Sequence, residues 1–306
     1  MSESLPLSAV SVSSDESQPN RIVCFLVINK IRDLPEISIT SVLKNSQEHV
    51  VVGYLKSEDI EGLPQDSRVQ YLKLSEFLGD LSDLPLLHEQ SRNYVSFDEE
   101  VFFQLVQVKW ILLRKLLEVF DVVIYTDLDV IWLEDVAKDF LKTFESKEHM
   151  DVIVQDFSYT LSETKLCMGL FAARRSDFSA NLIDRCSAIH ASHVIETPRF
   201  SDDDAISMFY EKCDNPQKIA RLPNQSYPVG NLINLFLPFS VLRGLRPRRP
   251  MIFHANFVVG QNRKIMLLRL IEFLYSRDFR KFLKFASAYL YVLRAYLERR
   301  RSKRIR

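Results

Sequence analysis

The amino-acid sequence predicts an α/β protein with a mostly parallel central sheet flanked by helices. Three observations predict it. Short apolar runs rich in β-branched residues recur along the chain. Helical patterns separate them, as in βαβ units. One run closes on two aspartates, where open α/β sheets place their ligands.

The elements follow in order. RIVCFLVIN, Arg21 to Asn29, is a continuous apolar run and reads as a strand buried on both faces. A helical pattern around Ile37 to Leu43 comes next. HVVVGYL (His49 to Leu55) and RVQYLKL (Arg68 to Leu74) are further strands. Ser96 and Glu99 form a capping box for a long helix, with acids suited to its positive end. Phe102, Leu105, Val106, Leu112, Leu113, Leu116 and Leu117 give that helix its apolar stripe. Lys109 lies inside the stripe, so it either snorkels to water or meets an anion. DVVIYTDLDVIWL, Asp121 to Leu133, reads as a strand whose carboxylates emerge at its C-terminal end. DVIVQDF (Asp151 to Phe157) and KLCMGLFAARRS (Lys165 to Ser176) complete the strands.

Composition narrows the function classes. The chain has 306 residues, enough for a sizeable core in one large domain. Formal net charge is zero, so no global field draws in nucleic acid. Cys24, Cys167, Cys186 and Cys213 form no C-x-x-C pair and read as reduced thiols of a cytosolic protein. Residues 1–20 are polar and Ser-rich, without the pattern of a signal peptide, and read as a disordered tail. No apolar run reaches the roughly 20 residues of a spanning helix. The nearest, LINLFLPFSVL, is short and carries Pro238. Residues 276–306 form a basic, aromatic amphipathic segment ending in Arg299, Arg300, Arg301, Lys303, Arg304 and Arg306. Such a segment either packs with a solvated tail or binds an anionic membrane surface.

Asp127 and Asp129 bring two hard oxygen ligands to one point. They suit Mg²⁺ or Mn²⁺, which in turn bridge phosphates. An isolated D-x-D recurs by chance, but apolar residues flank this one on both sides, which counts against a solvated loop. The phosphate-binding motifs G-x-x-x-x-G-K-[ST] and G-x-G-x-x-G are absent, as is the hydrolase elbow G-x-S-x-G. A competing reading is a haloacid-dehalogenase-type phosphatase with an aspartyl nucleophile and Mg²⁺. The SDDDA at Ser201 to Ala205 would be its distal acidic motif, although no Gly-Thr turn follows the D-x-D.

In sequence order, Lys109, YTDLDVIWL, CMGLFAARRS, SDDDAIS, YPVG and HANFVVGQNRK resemble the nucleotide-diphospho-sugar transferases. The nearest group in that resemblance holds the rhamnogalacturonan xylosyltransferases and extensin arabinosyltransferases. The resemblance implies the Rossmann-like, A-type glycosyltransferase fold over residues 21–275. It implies a nucleotide-sugar donor, UDP-linked, a divalent cofactor, and transfer to a glycan or lipid-linked acceptor with retention. Asp127, Asp129 and His254 would hold the cation, with an imidazole favouring Mn²⁺ over Mg²⁺. Asp127 would also lie near the ribose. Lys109, Asn256, Gly260 and Lys264 would line the donor; glycine allows close approach and lysine brings a point charge. Taken alone, His254 reads as a satisfied core histidine and Lys264 as a surface lysine. Asp202 would touch the donor sugar. Asp203 stands where the family has glutamine, and would stabilise the reacting centre or act as nucleophile. An alternative for that cluster is an N-cap for the helix AISMFYEK. Cys167 and Gly169 would wall the acceptor pocket. Unlike the plant proteins, this chain shows no N-terminal anchor, so the expected location is cytoplasmic, with contact at the inner membrane face. A third alternative, a non-catalytic nucleotide-sugar-binding protein, is disfavoured because the motif residues are intact.

Overall fold

A computed structural model describes residues 20–27, 33–77, 100–158, 164–194, 200–224, 226–229, 250–256 and 260–275. The N-terminal tail, the Ser96 capping box, LINLFLPFSVL and the basic C-terminal segment lie outside the described residues.

The strands are β1 (Arg21–Val27), β2 (His49–Tyr54), β3 (Val69–Lys73), β4 (Val122–Thr126), β5 (Val130–Trp132), β6 (Val152–Asp156), β7 (Leu166–Arg174), β8 (Ile219–Leu222) and β9 (Ile252–His254). The α-helices are α1 (Leu34–Asn45), α2 (Leu74–Phe77), α3 (Glu100–Val119), α4 (Val136–Ser146), α5 (Asp177–Val194), α6 (Asp202–Glu211) and α7 (Gln261–Tyr275). Seven strands form one sheet in the order β3-β2-β1-β4-β7-β6-β8. Only β7 runs against its neighbours β4 and β6; the other pairings in this sheet are parallel. The expected α/β architecture with a mostly parallel sheet is therefore what forms.

Period-two alternation explains why β1 is apolar throughout. Ile22 and Cys24 face one layer, with Val108, Leu112 and Leu116 of α3 and Leu182 of α5. Val23, Phe25 and Val27 face the other, with Ile39 of α1 and Phe140 of α4. Fully burying each such side chain stabilises the fold by about 1.5–3 kcal/mol. Both sheet faces are thus covered, as parallel sheets require.

One finding differs from the sequence expectation. Asp121 to Leu133 is not a single strand. β4 ends at Thr126, a turn holds Asp127 to Asp129, and β5 leaves the sheet to pair with β9. The turn is closed by the Val130 N–H donating to the Asp127 carbonyl at 3.1 Å. Ser38 of α1 clamps it, its hydroxyl donating to the Val130 carbonyl at 2.5 Å. Ile131 and Leu133 after the turn belong to a separate small core with Phe253, Leu267, Leu268 and Ile271, while Val130 and Trp132 join the core of Val23 and Phe140. No α-helix among the described residues is long and apolar enough to cross a membrane. The four cysteines are free thiols, with Cys24, Cys167 and Cys186 buried and Cys213 partly exposed.

Candidate active site

Three chain segments converge at the C-terminal end of β4. The turn after β4 carries Asp127 and Asp129. The antiparallel register of β5 with β9 sets Val130 opposite His254, which places the imidazole beside Asp129. The Ala255 N–H donates to the Asp129 carbonyl at 2.8 Å and fixes that register. The result is a cluster of Asp127, Asp129 and His254 whose ligand atoms lie within 4.8 Å of one another.

His254 Nε2 stands 3.2 Å from Asp129 Oδ1. The other Asp129 oxygen, Oδ2, accepts from Lys264 Nζ at 2.6 Å. Lys264 reaches it from the first turn of α7. That helix opens at Gly260, whose φ of +100° is costly for residues with a Cβ. Its carbonyl accepts from the Arg263 and Lys264 N–H groups, both at 3.1 Å. Gly260 therefore sets where Lys264 begins; its place is at the helix start, one turn from the cluster.

Beneath the turn lies a second set of charges. Lys109 is 4% exposed, so it does not snorkel. Its Nζ donates to Asp202 Oδ2 at 2.6 Å, to the Met168 carbonyl at 3.0 Å and to Asp127 Oδ1 at 3.5 Å. The ammonium also sits 4.2 Å from the centroid of the Tyr125 ring. Within the chain the anions that Lys109 meets are these two aspartates. The Tyr125 hydroxyl donates to Asp127 Oδ1 at 2.8 Å. Asp203 Oδ1 accepts from the Met168 N–H at 2.6 Å, and Asp203 donates its own N–H to Asp202 Oδ1 at 3.2 Å. The capping function foreseen for one of the three acids falls to Asp204, which forms a capping box with Ser201.

Charge balance separates three of the site acids. Burial pushes Asp129 up, but Lys264 and His254 outweigh it and hold the carboxyl well below the usual range. Burial raises Asp127, and the negative charges of Asp129 and Asp202 add to that, against Lys109. The Asp127 side chain keeps 36% exposure, which softens the push and leaves it open to a ligand. Burial, then Asp202, drives Asp203 well above the ordinary carboxylate value. Burial pulls Lys109 down, but Asp127 and Asp202 reverse this and raise it.

The acceptor-side residues lie on β7 against this cluster. A Cβ on Gly169 would stand 2.2 Å from His254 Cε1 and 3.0 Å from Asp127 Oδ2. Glycine at this position is what lets the imidazole and the carboxylate meet. Cys167 Sγ lies 3.8 Å from His254 Nδ1, and the Asn256 side-chain amide lies 3.6 Å from the same sulfur. All the site residues expected from sequence except Gly260 therefore gather in one contact network. Two contributors were missed. Tyr125 sits two residues before Asp127, the strand spacing that puts side chains on one face. Gln155 is a polar residue inside an apolar strand, and it contacts His254. Each carried a signal: the spacing for one, the misplaced polarity for the other.

The donor set fits a divalent cation. Carboxylate oxygens with one imidazole nitrogen form a hard to borderline site, and Gly169 clears the space around it. The cluster lies outside the carboxyl end of β4, where open α/β sheets bind their ligands. The chain belongs to the nucleotide-diphospho-sugar transferases, whose family model matches residues 65–268. It is thus a nucleotide-sugar-dependent glycosyltransferase with the A-type fold. Among solved structures, it is similar to mouse xyloside xylosyltransferase 1 in its apo form. Identity there is 9%, with 79% of this chain and 99% of that one covered and a TM-score of 0.48. The galactosyltransferase LgtC, solved with donor and acceptor sugar analogues, aligns at 10% identity over 81% of this chain and 95% of its own, TM-score 0.48. The glycosyltransferase GlyE of Streptococcus pneumoniae aligns at 13% identity over 86% of this chain and 64% of its own, TM-score 0.47. No curated protein matches the chain in sequence.

Proposed function

We propose that this enzyme transfers a sugar from a UDP-linked donor to a hydroxyl of a glycan or lipid-linked acceptor, with retention and with Mn²⁺ or Mg²⁺ as cofactor. The observation that supports it best is the Asp127, Asp129 and His254 cluster. A divalent cation there would supply charge neutralisation for the departing diphosphate. Lys264 adds a second positive charge from the α7 side, and Asn256 and Gly260 are the further proposed donor contacts. Asp127 is anchored by Tyr125 and Lys109, so its exposed oxygen is held for the ligand rather than left to rotate. Asp202 and Asp203, joined to the turn through Lys109, are the proposed contacts to the donor sugar and the reacting centre. Asp203, raised by burial, keeps its carboxyl oriented through the Met168 N–H. Cys167 and Gly169 form the wall beside it and are the proposed acceptor contacts. The same reading places the enzyme in the cytoplasm, its basic C-terminal segment touching the inner membrane face.

The family match sets the phosphatase alternative aside. The acids of SDDDA open helix α6 rather than end a strand. The test is a panel of nucleotide sugars, measured for binding and slow hydrolysis with and without Mn²⁺. Wild type is expected to respond to one UDP-sugar only with metal, and Asp129→Ala to lose the response. Cleavage of a phosphate monoester with no response to any nucleotide sugar would overturn the reading.

A further inference from the structure

Gln155 is fully buried on β6, at the point where the pairing of β6 with β7 slips register. Its amide has two partners. Nε2 donates to the Tyr227 carbonyl at 2.9 Å. Oε1 lies 3.0 Å from His254 Nδ1. The first contact fixes the second. Turning the amide over would set its oxygen against the Tyr227 carbonyl, two acceptors at contact distance. With the amide so held, Oε1 can only accept, so His254 Nδ1 must carry its hydrogen. The Tyr227 carbonyl is itself held. Its hydroxyl donates to the Asp139 carboxylate, and its ring packs on Phe140 with centroids 5.8 Å apart.

We infer that Gln155 is a positioning residue for the metal site: it holds the His254 ring with Nδ1–H on Oε1, so that Nε2 is the nitrogen turned to Asp127 and Asp129 to ligate a cation. Imidazole ligands commonly donate their second N–H to a fixed acceptor, which sets ring orientation and raises ligand basicity. The inference rests on the proposed metal reading. It also accounts for a buried glutamine in a strand whose preceding residues, Val152 to Val154, are fully buried and apolar. Cys167 Sγ, at 3.8 Å from the same nitrogen, is too weak an acceptor to replace it.

The experiment measures Mn²⁺ binding to the full chain by the electron paramagnetic resonance signal of the free ion, together with thermal melting. Gln155→Met fills the volume without an acceptor, and Mn²⁺ affinity is expected to fall about 10- to 100-fold. Gln155→Glu, its second carboxyl oxygen protonated against the Tyr227 carbonyl, keeps an acceptor for Nδ1 and is expected to bind Mn²⁺ within a few-fold of wild type. Equal affinity in Gln155→Met and wild type, both folded, overturns the inference and leaves the metal reading intact. Weak binding by folded Gln155→Glu overturns it too, and decides the matter if Gln155→Met does not fold. Absence of Mn²⁺ binding in wild type instead overturns the metal reading, and this inference with it.

Discussion

Lys109 Nζ and Asp202 Oδ2 lie 2.6 Å apart across 93 residues of chain. This contact joins α3 to the start of α6 beneath the D-x-D turn. The pair is buried, with Asp127 as a second carboxylate partner. Removing one member of a buried pair strands the other, at a cost of about 3–5 kcal/mol. Lys109→Met is expected to lose that much stability in urea unfolding. Lys109→Met combined with Asp202→Asn is expected to recover part of it, because the stranded charge is gone. Additive losses would show that the contact carries no coupling.

Much of this was legible in the sequence, and the reasons differ by element. β1 and the D-x-D announced themselves because a strand buried on both faces has no polar alternation. Lys109 stood out as a charge in an apolar stripe, which demands a partner, but spacing could not say which. The partner sits on another element, and only the fold brings Asp202 there. The break of Asp121 to Leu133 into two strands was invisible because both halves are apolar; they differ only in which sheet they join. Gln155 and Tyr125 lacked a motif, so their polarity pointed to no particular neighbour.

Gly169 makes a sharp test, since its Cα face is filled by the His254 ring. Gly169→Ala is expected to destabilise by about 1–3 kcal/mol, the usual cost of overpacking. Mn²⁺ affinity should fall at least tenfold as the imidazole is displaced. Gly169→Ala with His254→Ala should regain thermal stability and still bind Mn²⁺ poorly. If Gly169→Ala alone melts and binds like wild type, the ring does not occupy that space in solution.

Asp127 and Asp129 differ in how they titrate, and metal affinity should report it. A cation needs both carboxylates ionised. Asp127 is raised, so it is protonated first as pH falls, while Asp129 stays ionised beside Lys264 and His254. The His254 nitrogen must be unprotonated as well, so below the Asp127 titration the dissociation constant for Mn²⁺ should rise by at least about tenfold per pH unit. Lys264→Ala removes the nearest cation from Asp129, whose protonation then moves up into the same window. The slope should steepen by up to about a further tenfold per unit. An unchanged slope in calorimetric titrations across acid pH would show that Lys264 does not hold Asp129 ionised.

Asp203 supplies the stability counterpart. Its folded value is raised by burial and by Asp202, so above that value the ionised carboxylate costs stability, and the cost fades as pH falls through it. Asp203→Asn keeps an oxygen for the Met168 N–H but carries no charge. It should therefore melt higher than wild type at neutral pH, by about 1 kcal/mol or more of stability. The gap should close toward the ordinary carboxylate range, where wild-type Asp203 is protonated too. Melting curves over that range check the sign. A gap that widens in acid would mean Asp203 is stabilised as an anion, with the Met168 N–H outweighing burial and the Asp202 charge. Activity of the same variant adds a separate reading. Loss of transfer with stability gained would mark a carboxylate retained for the reaction rather than for the fold.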